Sequence, residues 1–184
     1  MEWPCWARCK ANSYFHFSTK ISASCRLTST SITKPVYLQK INNIIQLINI
    51  PGFLDSQKVV NALEDFTFIL GYKPEKLFFN FVSKSELYKM NKKYLGHNTH
   101  TDIISFDYSK NNQLVAEFFI SMWAIKQSAI ELSQSIEKET LRTLSHGVLH
   151  CMGYNDKTAK DKIEMRNKED QFIAMFHVKH NRNV

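Results

Sequence analysis

Hydrophobic and polar positions in the main body of the chain follow a succession of helical and strand patterns. An apolar stretch, residues 36–50, contains the first predicted strand, and residues 51–52, Pro-Gly, end it. Apolar residues recur at helical spacing over residues 59–70, and Gly71 is placed to end that helix. Residues 77–82 are aromatic and β-prone, which predicts a second strand.

Capping and turn residues predict the next elements. Ser83 and Glu86 form a capping box that begins a short helix. Residues 101–108 and 114–121 have the composition of strands, and the turn-rich residues 109–112 predict that the two strands form a hairpin.

The rest of the chain is predicted to be helical. Residues 122–134 and 136–152 have helical spacing, and Thr158 with Asp161 could cap a last helix that ends near Phe176. Strands in the first half and helices in the second predict an α+β fold. We expect a single domain of residues 36–176, in which about five helices pack on one small mixed sheet of four strands.

Composition agrees with one domain but divides the charge unevenly. The 184 residues are 43% hydrophobic and 22% charged, which is enough for a single core. No apolar run approaches the about 18 residues of a membrane span. The net charge of +7 favours an anionic partner, but residues 1–34 hold five basic residues and only Glu2 as an acid, so the remaining 150 residues carry about +3.

Residues 1–35 form a separate extension that is rich in Ser and Thr and nearly free of acids. This composition is typical of a disordered extension or of a start site assigned too early, and it also resembles an organelle transit peptide. Three of the four cysteines lie in it, so the body gives no sign of a disulfide-rich secreted protein, and a cytoplasmic location is expected. The polar tail, residues 177–184, is expected to fray.

Candidate chemistry lies at the end of the helix predicted for residues 136–152. His146 and His150 are four residues apart, and side chains at this spacing lie on one helix face about 5–6 Å apart at Cβ, so both imidazoles can bind one ion. An apolar stripe on the roughly opposite side predicts that the histidines face a cleft or solvent. Gly153 can end the helix in the left-handed conformation, after which Asp156 can supply a third ligand.

Such a site would have three protein ligands and an open fourth position. It differs from the zinc-peptidase helix HExxH, because Gly147 stands where that helix has its glutamate. Nitrogen and oxygen ligands suit zinc and also admit manganese, iron or nickel. Histidines at this spacing are also common as surface or capping residues, so the spacing alone leaves both interpretations open.

Residues 146–156, HGVLHCMGYND, resemble the signature HGxLHLxGYDH of the YbeY family, metal-dependent endoribonucleases in which the three histidines of the signature bind zinc. Cys151 replaces the leucine of the signature, Asn155 its aspartate and Asp156 its third histidine. An aspartate oxygen can replace an imidazole nitrogen at about 2.0–2.2 Å from zinc, so the resemblance keeps Asp156 as a ligand.

Upstream residues carry the resemblance further. Residues 101–106, TDIISF, are similar to the family's TD(V/N)LSF strand, and residues 87–94 are similar to its LNxxY helix. Leu95 stands where the family commonly has an arginine, a role that Lys92 or Lys93 could take. A further departure is Ala-Glu at residues 116–117, in place of Gly-Asp.

The resemblance implies a single-strand-specific, zinc-dependent endoribonuclease acting in ribosomal RNA processing, at the 3′ end of the small-subunit RNA, and in ribosome quality control. It implies one Zn²⁺ per chain, held by His146, His150 and Asp156 and activating a water for phosphodiester hydrolysis. The implied partners are single-stranded ribosomal RNA and the small ribosomal subunit with its assembly factors, and no membrane. The catalytic base is unknown; Asp102 could orient a ligand histidine or cap a turn.

Five more residues are candidates with a plainer alternative. His97 and His100 lie in the loop before the TDIISF strand, where histidines are usually solvated. Arg142 could face a phosphate, but we expect an exposed helix residue. Met165 and Glu169 fall where the family often has a methionine and an acid, and packing and a helix salt bridge explain them equally.

Two other functions remain open. One is a metal-dependent hydrolase with a non-RNA substrate, which Leu95 and Asp156 make conceivable. The other is a non-catalytic binding protein of ribosome assembly, in which the metal is structural. A structural zinc normally has four protein ligands, and no obvious fourth ligand follows Asp156.

Overall fold

The computed structural model describes residues 8–10 and 44–178. Five strands occur in them: β1 Arg8–Lys10, β2 Ile45–Ile48, β3 Lys73–Val82, β4 Ile103–Asp107 and β5 Gln113–Ser121. Five helices accompany them: α1 Ser56–Ile69, α2 Lys84–Leu95, α3 Met122–Glu131, α4 Ile136–Cys151 and α5 Ala159–Val178. The strands form one mixed sheet in the order β1-β4-β5-β3-β2.

The predicted α+β fold is confirmed. The four strands of the main body and the five helices form one small domain, and β1 adds a short fifth strand parallel to β4 at the edge of the sheet. The predictions for residues 1–35 and 177–184 concern residues that lie mostly outside the described ones, and they stay predictions. At the end of the described chain, α5 continues two residues beyond its predicted end at Phe176.

The predicted hairpin is the antiparallel pair of β4 and β5, in which Ile103 lies opposite Ile120. β3 pairs in parallel with both β5 and β2. It begins at Lys73, earlier than the sequence pattern indicated, because its backbone pairing with β5 continues past the apolar residues, to Lys73 opposite Gln113. The hydrophobic pattern could not show a strand whose first residues are polar.

Both capping boxes form. The Ser83 amide donates to Glu86 Oε2 at 2.9 Å, and the Glu86 amide donates to Ser83 Oγ at 3.3 Å. Before α5, the Thr158 amide donates to Asp161 Oδ2 and the Asp161 amide to Thr158 Oγ1, both at 3.1 Å. No helix within the described ranges is both long and apolar enough to cross a membrane.

One face of the sheet carries the main core, formed with α1, α4 and α5. Phe79 of β3 stacks on Phe118 of β5 at a centroid distance of 4.5 Å, and Phe66 of α1 meets Phe172 of α5 edge to face at 5.3 Å. α4 lies between the sheet, α3 and α5, and all its residues from 139 to 151 are buried. Of the two environments predicted for the histidine side of this helix, a cleft or solvent, open solvent is therefore wrong.

α4 approaches the sheet most closely at Gly147. A Cβ atom built there would lie 2.8 Å from Cδ1 of Ile103 and 3.0 Å from Cδ1 of Phe118. Real Cβ atoms almost never make a contact as short as the first, so the position accepts no side chain without movement of Ile103. The glutamate that a zinc-peptidase helix carries here would have no room.

Candidate metal centre

A cleft of about 350 Å³ opens at the end of the sheet where β4 begins and β5 ends. The loop before β4 supplies His100, and α3 forms another wall with Ala124. His146 comes from the middle of α4 and Asp156 from the segment that follows it. α5 completes the lining with four residues, including Glu169, so the cleft forms where five separate parts of the chain meet.

The three predicted ligands come together at this cleft. His146, His150 and Asp156 each offer one ligand atom, and these atoms all lie within 4.8 Å of one another. The two imidazole rings are nearly perpendicular, with centroids 4.5 Å apart. Both histidines are almost fully buried, which the sequence did not indicate. Such a group of two nitrogens and one oxygen could hold a metal ion.

The end of α4 brings Asp156 back toward the histidines. Gly153 has a φ of +96°, a conformation that side chains disfavour. Its amide donates to the His150 carbonyl at 3.0 Å, and the Tyr154 amide donates to the Leu149 carbonyl at 3.1 Å. These two bonds are the Schellman pattern of a helix end, as the glycine predicted.

Hydrogen bonds fix the orientation of both imidazoles. Nδ1 of His150 lies 2.9 Å from the carbonyl oxygen of Tyr154, and Nδ1 of His146 lies 2.5 Å from Oε1 of Glu169. A carbonyl or a carboxylate can only accept, so each Nδ1 carries the proton. When a ring is neutral, its Nε2 therefore has the lone pair that a metal would use.

Glu169 also binds Arg142, which corrects the expectation that this arginine is exposed. Arg142 is buried; its Nη1 donates to Glu169 at 2.9 Å and its Nη2 to Asp170 at 2.8 Å. Burial by itself would raise the pKa of Glu169, but the hydrogen bond and charge of His146, together with Arg142, hold that pKa below its usual value. Glu169 is therefore an ionised carboxylate between two donors.

Asp102 lies at the cleft and accepts the Ile103 amide at 3.0 Å. Burial raises the pKa of Asp102, and the charge of His146 opposes that shift in part. Glu139 shares the cleft, and burial likewise raises its pKa against the effect of Arg142. Glu169, rather than Asp102, makes the hydrogen bond that orients the candidate ligand His146.

Of the other residues that the sequence suggested for the site, some line the cleft and others lie on the surface. His100 and Met165 line the cleft, whereas His97 is exposed in its loop and does not line it. Burial and the charge of Lys84 lower the pKa of His100. Lys92 and Lys93, considered as replacements for the family arginine, are exposed at the end of α2 and do not line the cleft.

Charged groups of both signs line the cleft. Four carboxyl groups face three cations. The carboxyl groups belong to Asp102, Glu139, Asp156 and Glu169, and the cations to Arg142, Lys162 and Arg166. A bound divalent cation would change the formal charge of this lining from negative to positive, which would then favour an anionic ligand.

The model of the family described as endoribonuclease YbeY matches residues 40–177. The chain belongs to this family. The match includes α4, α5 and the strands that carry the cleft, and it confirms the resemblance drawn from the two sequence motifs. The YbeY family is a family of enzymes, hydrolases named for the cleavage of RNA.

Individual relatives agree. The endoribonuclease YbeY of Flavobacterium johnsoniae is 46% identical over 98 residues, 53% of this chain and 70% of the relative. That of Flavobacterium psychrophilum is 41% identical over 101 residues, 55% of this chain and 72% of the relative. The solution structure of a Thermotoga maritima protein matches with a TM-score of 0.56 at 21% identity, over 76% of this chain and 93% of that one, which shows a shared fold.

The role of Glu169 was missed from sequence, although a signal was present. Met165, Glu169, Phe172 and Phe176 follow one another at spacings of four, three and four residues, which places all of them on one helix stripe. That stripe is buried. A carboxylate on a buried stripe needs a hydrogen-bonding or charged partner from another element. The sequence could not show that these partners are His146 and Arg142.

Proposed function

We propose that this protein is a zinc-dependent endoribonuclease that cleaves single-stranded RNA in ribosomal RNA processing, including 3′-end maturation of the small-subunit RNA, and in ribosome quality control. The observation that carries the proposal is the convergence of His146, His150 and Asp156 on one point, with both Nδ1 atoms held by acceptors. Membership of the YbeY family supplies the reaction class.

The donor set fits a metal ion. Two neutral imidazoles and one carboxylate are ligands that zinc accepts, and three protein ligands leave a position open for substrate or water. Within the described residues the cluster has three members, which favours a catalytic over a structural zinc. A divalent ion held there would act as a Lewis acid toward the phosphate and lower the pKa of a water molecule.

The protein's own side chains would prepare the site for this chemistry. Glu169 holds the proton on Nδ1 of His146 and so keeps Nε2 available. Arg142 is held by Glu169 and Asp170, so its charge is fixed beside the cleft. Lys162 and Arg166 are exposed at the cleft and can meet RNA phosphates.

The depth of the ligands supports a preference for single strands. His146 is 7% exposed and His150 is 8% exposed, so a phosphate must enter the cleft to approach them. A flexible single strand can bend into such a cleft more easily than a duplex can. In the same proposal, the protein acts in the cytoplasm on the small ribosomal subunit and among its assembly factors.

The first test is metal content by elemental analysis of protein purified without added metal or histidine tag. We expect about one zinc per chain, lost in His150→Ala and in Asp156→Ala because each removes a ligand. His97→Ala is the matched control, since this histidine is exposed and does not line the cleft. Absence of metal from the parent protein would contradict the proposal, and a different metal would correct its zinc assignment.

The second test is cleavage of labelled RNA by the same proteins. We expect cleavage of single strands, little cleavage of duplexes, and loss of activity with a chelator or in either ligand variant. Metal-loaded protein that leaves every RNA intact would favour the hydrolase with another substrate. Mapping the 3′ ends of small-subunit RNA in cells depleted of the protein would test the processing role.

A further inference from the structure

Three aromatic rings form a continuous group beside the cleft: Tyr88, His100 and Trp123, called here the aromatic cluster. The centroid of His100 lies 5.0 Å from that of Tyr88 and 5.0 Å from that of Trp123. All three side chains are half-buried. His100 lines the cleft itself, and Trp123 directly precedes Ala124, which also lines it. The aromatic cluster therefore extends the candidate metal centre along the surface.

Hydrogen bonds hold the loop that carries His100 against α2. Tyr88 Oη donates to Asn98 Oδ1 at 2.5 Å, and Asn91 Nδ2 donates to the Thr99 carbonyl at 2.8 Å. Trp123 is fixed as the second residue of α3. The rings therefore sit on three anchored segments, and an incoming planar group would meet a surface that is already arranged.

A cation already occupies the face of Trp123. Nζ of the exposed Lys84 lies 3.4 Å from the ring centroid. A cation–π contact at an exposed site is weaker than the stacking of a nucleobase on an aromatic ring, so a base can displace the ammonium group. The displaced ammonium would remain within reach of the phosphate attached to that base, because the lysine stem is long and flexible.

The state of His100 agrees with stacking. Burial and the charge of Lys84 lower its pKa, so the imidazole is neutral at neutral pH. A neutral ring adds no charge repulsion toward Lys84 and can share the apolar contact with Trp123. The aromatic cluster thus combines what single-stranded nucleic acid uses elsewhere: flat π surfaces beside a cation.

We infer that Trp123 and His100 form a stacking subsite for one unpaired nucleobase of the RNA substrate, while Lys84 binds the neighbouring phosphate. The inference rests on the proposed function, since it concerns a strand whose scissile phosphate lies at the candidate metal centre. A duplex cannot offer a base to this subsite, because its bases are stacked within the helix. The subsite would therefore contribute to single-strand preference and set the register of cleavage.

The test is binding of a short single-stranded RNA to the full-length protein, with a chelator present to prevent cleavage. We expect Trp123→Ala to raise Kd by about 5- to 150-fold, the range of one lost base stack, and Trp123→Phe to restore most of the affinity. Phe68→Ala is the matched control, because Phe68 is an aromatic residue of α1, 81% exposed, and does not line the cleft.

A base-specific measurement separates stacking from a structural role. RNAs with one abasic position each are compared on the parent and on Trp123→Ala. One abasic position should weaken binding to the parent by a similar factor and have no effect on the variant, because the variant has no ring to lose contact with. Quenching of tryptophan fluorescence by RNA should also be smaller in Trp123→Phe.

The outcomes are distinguishable. If folded Trp123→Ala binds RNA as tightly as the parent and no abasic position matters, the stacking subsite is overturned while metal binding and RNA cleavage stand. If the parent binds no RNA and cleaves none, the proposed function fails and the subsite fails with it. If Trp123→Ala does not fold, Trp123→Phe with the abasic series decides the question.

Discussion

Glu169 is the residue on which the arrangement of the site depends most. Its two oxygens serve different partners, Oε1 the imidazole of His146 and Oε2 the guanidinium of Arg142. One carboxylate thereby orients a candidate ligand and neutralises a buried cation. The partner that orients a metal-binding histidine commonly affects metal affinity almost as strongly as a ligand does.

Glu169→Gln should therefore weaken metal binding by about 10- to 100-fold, because a neutral amide no longer fixes the proton on Nδ1 of His146. The measurement is competition for zinc against a chromophoric chelator. The matched control is Asp170→Asn, which removes a carboxylate from the same arginine, because Asp170 accepts its hydrogen bond from Arg142 and not from a candidate ligand. Equal zinc affinity in the parent and in Glu169→Gln would contradict the orienting role.

For individual residues, the local sequence was enough to group the candidate ligands but not to identify the residues that hold them in place. His146, His150 and Asp156 lie within eleven residues, so helix periodicity and one glycine were enough to group them. Arg142 and Glu169 are 27 residues apart and meet only because α4 packs on α5. Their burial depends on that packing, which no local pattern encodes.

Among the helices and strands, we consider α4, which is buried from residue 139 to residue 151. It packs on the sheet, on α3 and on α5, and its closest approach to the sheet is at Gly147. This contact lies directly beside His146, so the position of the first candidate ligand is tied to β4 and β5. An added side chain at residue 147 would have to move either the helix or the sheet.

Gly147→Ala should lower the free energy of unfolding. Overpacking typically costs about 1–3 kcal/mol, which exceeds the about 1 kcal/mol that alanine gains over glycine in helix propensity. Urea denaturation measures the difference. Gly52→Ala is the control, because a Cβ there would meet nothing within 4 Å, and its stability should be unchanged or slightly higher. A variant at residue 147 that is more stable than the parent would show that the neighbouring side chains adapt freely.

Most elements could be predicted because their ends carry chemical signals. Gly71, Ser83 and Thr158 mark helix boundaries through backbone conformation or capping, and the structure confirms these three. The start of β3 was missed because it depends on pairing with β5 rather than on its own composition. The edge strand β1 was missed because its three residues have no strand pattern.

For the molecule as a whole, the core and the candidate metal centre are largely separate. The core is formed by apolar side chains from both halves of the chain, including stacked Phe79 and Phe118. The candidate ligands lie at one end of the sheet, beside the cleft. The fold should therefore persist when metal is removed, unlike that of a small zinc-dependent domain.

Calorimetry with and without zinc tests this separation. A ligand at one hundred times its Kd stabilises the folded state by about 2.7 kcal/mol, which corresponds to a rise in Tm of roughly 5–10 °C for a chain of this size. We expect the chelated protein to keep its circular dichroism spectrum and to unfold cooperatively at the lower temperature. Loss of helical signal on chelation would instead assign the metal a structural role.

Because a chain is synthesised from its N-terminus, α4 exists before the helix that packs on it, α5. A ribosome makes His146, His150 and Asp156 before it makes Glu169. A nascent chain whose α5 has not yet packed on α4 would have every candidate ligand. It would lack the Glu169 carboxylate that orients His146. We therefore expect RNA cleavage to begin only after α5 has folded onto α4, which would protect the RNA of the translating ribosome from the chain still emerging from it.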